Sequence, residues 1–391
     1  MSRLRELIAE LCPDGVEYVT LDESCFYPRE RMSSDGLDEG TYVSVENLAQ
    51  DFGGLTGEIA TTKPGTPVIS FHEGDVLVGN IRPYLKKVWL ADFDGGTNGD
   101  VLVFRIKDSY GERLLPEFVY VQLASESFID FDMRYAKGAK MPRGDKKAVL
   151  RYRIPVPPLE VQREIVRVLD EYTAAHDELV RKLEEEMALR EQQLSLVRNQ
   201  LLTFSERERV KRMALCVVLV SLAKGTLARG QLLSDGLYPV MNSGRDFYGW
   251  YDSKNNSGNA ITIAARGEYA GYVNYIERDF WAGGLCYPYR SANEDFALTK
   301  YVYHVLKNDE QHMMDSLVAR GSIPALNKKD LEKLRIPVPP LEVQRRIVRV
   351  LDEYTAAHDE LVRKLEEEMA LREQQLSLVR NQLLTFTEKA A

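Results

Sequence analysis

The sequence IPVPPLEVQ occupies residues 154–162 and returns at 336–344, and each copy opens a much longer repeat. Residues 153–204 recur at 335–386 with a single difference, which is Glu164 in the first copy and Arg346 in the second. Repeats within one chain drift apart unless nearly every side chain is constrained or the copies are still being equalised. The chain is therefore organised around one module used twice, and the segments between the copies are its variable part.

The repeat predicts a long helix. Its prolines exclude a helix interior before Pro158, which itself suits a first helical position. No Pro or Gly occurs from Leu159 to Phe204, where Leu, Glu, Arg and Gln dominate, so each copy predicts one helix of about 70 Å. Apolar positions spaced mostly by three and four residues predict a coiled-coil seam. The predicted seam includes Leu169, Tyr172, Leu179, Leu183, Leu194 and Leu201 in the first copy, and Leu351, Tyr354, Leu361, Leu365, Leu376 and Leu383 in the second.

A lone helix of this length would expose its seam to water, and the identical seam of the other copy is the nearest partner. About 130 residues separate the two helices, enough for one domain whose ends lie close together. We therefore expect an α+β architecture, in which two homologous β-rich mixed domains are joined by two long antiparallel coiled-coil helices. The predicted boundaries are 1–152 for the first domain, 153–204 for the first helix, 205–334 for the second domain, and 335–391 for the second helix and tail.

Short β-rich segments separated by Gly, Pro, Asn and Asp fill the first domain, and the second domain repeats this plan with different residues. Helices are predicted at 116–131 and at 300–319. The apolar run Met213–Ala223 is about half the length needed to cross a bilayer, which favours a buried strand. The predicted strands of the first domain are 16–21, 41–45, 68–71, 76–78, 88–90 and 101–106.

Composition and motifs argue against several classes of protein. Hydrophobic residues make up 44% of the chain and charged residues 28%, as in ordinary globular domains. The charged N-terminus does not resemble a signal peptide and the four cysteines form no CxxC pair, so a cytoplasmic protein without structural zinc or a membrane segment is expected. Walker A, GxGxxG and HExxH motifs are absent, as is the Asn/Asp-Pro-Pro-aromatic motif of amino-methyltransferases. We therefore expect no catalysis by this chain alone, no bound cofactor and no metal.

Basic, amide and aromatic side chains cluster in comparable loops of both domains. The net charge is −9, so DNA would bind only through such local clusters. Arg and Lys pair with guanine edges, Asn pairs with adenine, and basic loops contact phosphate. A solvated turn is the competing interpretation of any single cluster, whereas recurrence in both domains favours DNA. The predicted DNA-binding residues are Asn80, Arg82, Tyr84, Lys86, Lys87, Lys137, Lys140 and Arg143 in the first domain, and Asn242, Arg245, Lys254, Asn255, Arg266, Tyr269, Arg320 and Lys328 in the second.

The order of these parts resembles the specificity subunit of type I restriction-modification enzymes, along essentially the whole chain. The most specific element is Pro-x-Pro-Pro-Leu-x-x-Gln before a long helix, at Pro155–Gln162 and again at Pro337–Gln344. The opening LCPDGVEY at 11–18 is similar to that family, and so are the domain endings 138–147 and 321–330. The departure is the run Met213–Ala223, which is more apolar than a domain-opening strand needs.

The resemblance implies a set of roles. Each variable domain would be a target recognition domain that reads one half of a split, asymmetric site in double-stranded DNA. The helices would space these domains and dock two methyltransferase subunits, to which restriction subunits add. S-adenosylmethionine, ATP and Mg would bind those partners, which together form an N6-adenine methyltransferase and endonuclease. The alternative hypothesis is a coiled-coil scaffold whose two domains bind proteins without recognising DNA.

Overall fold

The structure is a computed structural model that describes residues 2–37, 40–57, 65–205 and 210–389. The chain divides into two compact units, each of which holds one domain and part of both long helices. Unit 1 comprises Met1–Lys182 and Glu367–Ala391, and unit 2 comprises Leu183–Glu366. Among the described residues, no helix is both long enough and apolar enough to span a bilayer.

Unit 1 contains two four-stranded sheets, ordered β2-β9-β6-β7 and β3-β5-β8-β4, and a ladder of β1 with β10. Its strands are β1 (Glu17–Thr20), β2 (Cys25–Phe26), β3 (Arg31–Ser33), β4 (Tyr42–Val43), β5 (Pro67–Phe71), β6 (Val76–Gly79), β7 (Val88–Leu90), β8 (Gly95–Thr97), β9 (Val101–Ile106) and β10 (Arg153–Val156). Its helices are α1 (Ser2–Leu11), α2 (Leu21–Ser24), α3 (Pro116–Leu123), α4 (Glu126–Tyr135) and α5 (Lys146–Val149), and α6 (Leu159–Leu202) begins here.

The central strand β6 is buried on both faces. Because side chains alternate along a strand, Val76 and Val78 face one way and Leu77 the other. The two valines join a core that includes Phe118 of α3, whereas Leu77 packs in a second core with Phe71 of β5, in the second sheet. This sheet therefore lies between a helical layer and the second sheet.

Unit 2 repeats this plan. Its sheet β12-β18-β15-β16 corresponds in order to β2-β9-β6-β7 of unit 1, beside a sheet β14-β13-β17 and ladders of β11 with β21 and of β19 with β20. Its strands are β11 (Lys211–Ala214), β12 (Leu219–Ser221), β13 (Tyr238–Met241), β14 (Gly249–Tyr251), β15 (Ala260–Ala264), β16 (Val273–Ile276), β17 (Trp281–Ala282), β18 (Cys286–Ser291), β19 (Val318–Ala319), β20 (Ala325–Leu326) and β21 (Arg335–Val338). Its helices are α7 (Leu215–Val218), α8 (Thr299–Asn308), α9 (Glu310–Leu317) and α10 (Lys328–Lys333), and α11 (Leu341–Leu384) begins here.

The long helices pair antiparallel within each unit. In unit 1, His176 Nε2 of α6 lies 3.3 Å from the Glu373 carboxylate of α11, and Leu169 shares a core with Leu383. In unit 2, His358 Nε2 of α11 lies 3.4 Å from the Glu191 carboxylate of α6. Residue numbers therefore rise along one helix while they fall along the other, which confirms the predicted antiparallel pair.

The predicted seam lies on the less exposed side of both helices. Leucines outside the seam, such as Leu189 and Leu371, are 53% exposed. The buried seam residues are Leu169, Leu194, Leu351, Leu376 and Leu383, and the partly buried ones are Tyr172, Leu179, Leu183, Leu201, Tyr354, Leu361 and Leu365.

The predicted buried strand at Met213–Ala223 is wrong, because the run forms the end of β11, the helical turn α7, and β12. The Leu215 N–H donates to Leu334 O (2.9 Å), where the chain turns out of β11. The turn buries Leu215 and Val218, three residues apart, and leaves Val217 exposed. Unit 1 has the same β1-α2-β2 order, so the run corresponds to an ordinary domain entry.

The predictions of one continuous helix at 116–131 and one at 300–319 are both wrong, because each segment contains two helices. The first is split into α3 and α4 because the Ser125 side chain caps α4 by accepting from the Phe128 N–H. The second is split at Asp309 into α8 and α9 and ends in β19. There the Glu310 carboxylate accepts from the Val273 N–H (2.7 Å), so a bond to β16 fixes the chain just after the break.

Candidate nucleic-acid interface

Two segments far apart in sequence meet in unit 1. Arg82 N–H donates to Pro142 O (2.7 Å), and Gly144 N–H donates to Asn80 O (3.1 Å). Residues 80–87 and 137–145 are therefore held side by side, and we call them the loop pair of unit 1. The structure thus brings together the two basic segments that the sequence singled out in the first domain.

Unit 2 builds the same arrangement from different residues. Gly267 N–H donates to Pro324 O (2.9 Å), and Leu326 N–H donates to Ala265 O (2.9 Å). These bonds define the loop pair of unit 2, residues 265–272 and 320–327. Gly267 stands where unit 1 has Arg82, and both residues have a positive φ, of 98° and 52° respectively. Tyr269 accordingly takes the position of Tyr84.

The predicted DNA-binding residues of segment 80–87 fall into two groups. Arg82 is exposed, and Tyr84 is 47% exposed. Asn80 is buried, the Lys87 ammonium donates to Val45 O (2.7 Å), and Lys86 pairs with the Glu126 carboxylate (2.6 Å). Only Arg82 and Tyr84 of this group present their side chains outward.

The second segment of this loop pair carries exposed cations beside carboxylates. Lys137 lies 2.8 Å from the Asp145 carboxylate, and Arg143 lies 3.3 Å from that of Asp100. The hydrogen bond from Lys137, together with backbone N–H donors of α5, lowers the pKa of Asp145 to about 2. Lys140 is also exposed. The partners orient Lys137 and Arg143 while leaving them accessible to an anion such as phosphate.

In unit 2, the Arg245 guanidinium stacks on Tyr269 and Tyr272, with its central carbon 5.0 and 5.4 Å from the ring centres. This stacking holds an exposed arginine next to the loop pair. Arg266 is exposed within the loop pair, and Arg320 is exposed while lying 2.9 Å from the Asp315 carboxylate. The exposed cations named at this surface of unit 2 are thus arginines.

Other predicted residues of unit 2 have structural partners. Asn242 Oδ1 accepts from the Leu285 N–H (2.9 Å), and the Asn255 amide bonds to both backbone groups of Ala282 (2.7 and 3.0 Å). Lys254 pairs with the carboxylate of Asp279, which holds its pKa above its usual range. Lys328 lies 3.6 Å from the Glu332 carboxylate. The two amides therefore shape loops, and neither is directed at a base by these contacts.

A buried carboxylate beneath the loop pair of unit 1 was missed by the sequence analysis. Asp132 is 1% exposed, and neither of its carboxylate oxygens has a hydrogen-bond partner, nor does Asn80 Oδ1. Both side chains converge on Gly144, where an added Cβ would lie 2.4 Å from Asp132 Oδ1 and 2.7 Å from Asn80 Oδ1. Burial, with a smaller contribution from Asp145, raises the pKa of Asp132 to about 6. One sequence signal could have identified this residue. Asp132 follows Ile129 by three residues and Phe128 by four, so it lies on the apolar face of the predicted helix.

Replacing Asp132 by Asn is expected to raise stability at pH 8 and to leave it unchanged near pH 4. The folded-state pKa lies above the ordinary value of 3.8, so the folded chain binds this proton more tightly and loses stability as pH rises from about 4 to 6. The variant should recover about 2–3 kcal/mol at pH 8. Thermal unfolding across this range tests it, with Asp130→Asn on the exposed side of α4 as control. Parallel pH profiles for wild type and Asp132→Asn would contradict the assignment.

No group of three or more His, Cys, Asp or Glu side chains that could hold a metal ion occurs in the described part of the chain. Each loop pair presents exposed cations and an aromatic ring on a backbone frame that hydrogen bonds hold in place. Side chains of these types can form ion pairs and hydrogen bonds with a polyanion whose exposed groups accept hydrogen bonds.

Comparison with known proteins places the chain in a family. The sequence model of the type I restriction modification DNA specificity domain matches residues 66–188 and 218–370. A putative type I restriction enzyme specificity subunit of Haemophilus influenzae is 27% identical over 365 residues, covering 88% of each chain. The EcoR124I/EcoR124II specificity subunit of Escherichia coli is 26% identical over 267 residues, covering 60% of this chain and 63% of that subunit.

Solved structures show the same fold. A chain from work on complex assembly and conformational transition of the type I R-M system has a TM-score of 0.75 at 21% identity, with 95% of this chain and 98% of that one covered. The HsdS subunit of Thermoanaerobacter tengcongensis has a TM-score of 0.53 at 21% identity, with 96% and 97% covered. The family model spans most of both units, and the chain therefore belongs to the specificity subunits of type I restriction-modification systems.

Proposed function

We propose that this specificity subunit reads a bipartite, asymmetric site in double-stranded DNA, with one half-site read by each loop pair. The observation that carries this proposal is the recurrence of one backbone frame with different side chains. The tyrosines Tyr84 and Tyr269 correspond, but the frame position of Arg82 is taken by Gly267 in unit 2. The exposed arginine of the unit 2 loop pair is instead Arg266, one position earlier. A shared frame with changed side chains is what two readers of different half-sites require, because side chains at base edges carry the sequence information.

Charge predicts how the subunit binds. The net charge of −9 opposes a polyanion, and the cations of the loop pairs offset it only locally. The isolated chain therefore binds DNA weakly, and binding tightens once two methyltransferase subunits dock on the long helices and enclose the duplex. Nanomolar, sequence-specific binding by the purified chain alone would contradict this step.

The chemistry of modification and cleavage belongs to partners in this proposal. Two methyltransferase subunits supply S-adenosylmethionine binding and N6-adenine methylation, and restriction subunits supply cleavage with ATP and Mg. The chain contributes target choice and the distance between half-sites. In support, the relatives reported above are named as specificity subunits of restriction enzymes.

Arg82→Ala is expected to relax recognition at one half-site by about tenfold to a hundredfold and to leave the other half-site unchanged. Arg266→Ala should do the same at the other half-site. Long-read methylome sequencing of strains that carry each variant would show degenerate positions confined to one half of the motif. Arg31→Ala, at an exposed residue of β3, serves as control.

The outcomes separate the hypotheses. Equal loss at both half-sites would mean that these arginines act through folding or assembly. Methylation that is unaffected by deletion of the whole gene would favour a protein-binding scaffold without DNA recognition.

A further inference from the structure

The two long helices are identical around their N-terminal turns except at one position, and their surroundings differ there as well. Val161, Glu164 and Val168 of α6 correspond to Val343, Arg346 and Val350 of α11. Residues spaced by three and four lie on one helix face, so each set forms a single surface. The only substitution in the repeat lies in the middle of this surface.

In unit 1 this face is covered. Val161 is fully buried, Glu164 is 5% exposed, and Val168 is 8% exposed. The cover is provided by α1, whose Leu4 belongs to the same core and whose Arg3 guanidinium lies 4.0 Å from the Glu164 carboxylate. A short amphipathic helix with leucine toward the valines and a basic first turn therefore fits the face that carries Glu164.

In unit 2 the same face is open. Val343 is 39% exposed, Val350 is 37% exposed, and Arg346 is exposed. Gln344 and Ile347, on the adjoining side of the helix, remain buried like their counterparts Gln162 and Ile165 in unit 1. The helix is thus seated in its domain in the same way, and only the outer face has lost its cover. We call Val343, Arg346 and Val350 the open face.

The charge at the open face is reversed relative to unit 1. Glu164 pairs with Arg167 at 2.6 Å, and Arg167, with a smaller effect of Arg3, holds the pKa of Glu164 below its usual range. In unit 2 the corresponding residues are Arg346 and Arg349, both exposed, one turn apart and alike in charge. Like charges at this spacing repel, and a carboxylate from outside the helix would relieve the repulsion.

The basic first turn of α1, with Arg3 and Arg5, does not suit this face, so the α1 helix of a second copy of this chain is a poor occupant. DNA would leave the two valines without an apolar partner. An acidic amphipathic helix satisfies both the valines and the arginines.

We propose that the open face docks one amphipathic helix of a methyltransferase subunit, with leucine or isoleucine against Val343 and Val350 and an acidic side chain against Arg346. This inference rests on the proposed function, because it names where one methyltransferase docks. Each chain offers one such site, since α1 holds the matching face of α6. The two methyltransferases therefore meet different surfaces. The charge difference between Glu164 and Arg346 directs α1 to the face on α6 and the partner helix to the open face on α11.

The test uses the full-length chain and the methyltransferase subunit of the same restriction-modification system. Binding is measured by calorimetry and stoichiometry by native mass spectrometry. Arg346→Glu makes the two repeats identical, so its effect on folding is small, since the same helix already carries Glu164. We expect Arg346→Glu and Val350→Asp each to weaken one of the two binding events at least tenfold. Arg345→Glu reverses the neighbouring exposed charge outside the open face and should change binding less than twofold.

Several outcomes would overturn the inference. If Arg346→Glu and Val350→Asp both bind two methyltransferases with wild-type affinity, the open face is not a docking site. The proposed function would be unaffected by that result. If the chain alone forms dimers, and if Arg346→Glu strengthens them, then α1 of a second copy is the occupant of the open face. Failure of the wild-type chain to bind any methyltransferase would overturn the proposed function, and the inference with it.

Discussion

Gln162→Leu is expected to destabilise unit 1 by about 3–5 kcal/mol, because it breaks three hydrogen bonds of a buried side chain with little change in volume. The Gln162 amide nitrogen donates to Pro157 O and to Arg113 O, both at 2.7 Å, and its oxygen accepts from the Leu115 N–H at 3.0 Å. The side chain is fully buried. Leucine would leave two carbonyls and one N–H without partners in an apolar setting, which costs more than the hydrogen bonds contribute in the wild type.

The effect should show as a lower midpoint in chemical denaturation, with loss of the near-UV signal of the unit 1 aromatics. Gln344→Leu should act equally on unit 2, because the Gln344 amide makes the corresponding bonds to Pro339 O, Phe296 O and the Leu298 N–H at 2.8, 3.0 and 2.9 Å. Gln192→Leu, at an exposed site of α6, is the matched control and should change stability by less than about 0.5 kcal/mol. Equal midpoints for Gln162→Leu and the control would show that the repeated Gln has no structural role.

This glutamine shows what a sequence can and cannot predict. The motif was visible at Pro155–Gln162, and the resemblance gave it significance. The role of its last residue depends on Arg113 and Leu115, which are distant in sequence and in a loop without a distinctive pattern. The long helices were predictable because the absence of Pro and Gly is a local property of the chain. Their antiparallel pairing followed from the length of the segment between them.

Errors arose where a helix cap or a tertiary contact overrides the local preference of the chain. The predicted helix at 116–131 contains no Gly, and no Pro after Pro116, yet the Ser125 cap splits it. The run Met213–Ala223 is apolar enough for a strand, but its chain turns where the Leu215 N–H meets Leu334 O. Breaks of this kind depend on a cap geometry or on a partner more than a hundred residues away, and composition carries no signal for the second.

The candidate interface shows the same division. Charge clustering identified both segments of the unit 1 loop pair, and the structure brings them together through Arg82 and Pro142. Counting charges could not separate the exposed Arg82 from Lys86, because the partner of Lys86 is Glu126, forty residues further along a different element. The sequence did not indicate that Asp132 is buried, because an acidic residue in a helix is normally exposed to solvent.

The long helices are expected to act as a ruler for the DNA spacer. Four added residues lengthen a helix by about 6 Å, and a base pair rises about 3.4 Å, so the unread spacer should grow by one or two base pairs. The insertions must match in both helices. In unit 2 Glu191 lies opposite His358, and continuing this register by seven residues places Glu184 opposite Leu365. Four residues inserted after Leu183 and four after Leu365 therefore enter at facing positions.

Such a variant should keep both half-site sequences and methylate only sites with the longer spacer. Four residues exceed one turn by about 40°, so the seam shifts slightly and the coiled coil accommodates a stutter, whereas two residues rotate the seam by about 200° and should abolish packing and methylation together. The two-residue variant is thus the control for insertion as such. Methylome sequencing of strains carrying each variant measures spacer and half-sites at once. Methylation of the original spacing by the four-residue variant, or altered bases in either half-site, would mean that the helices serve assembly alone.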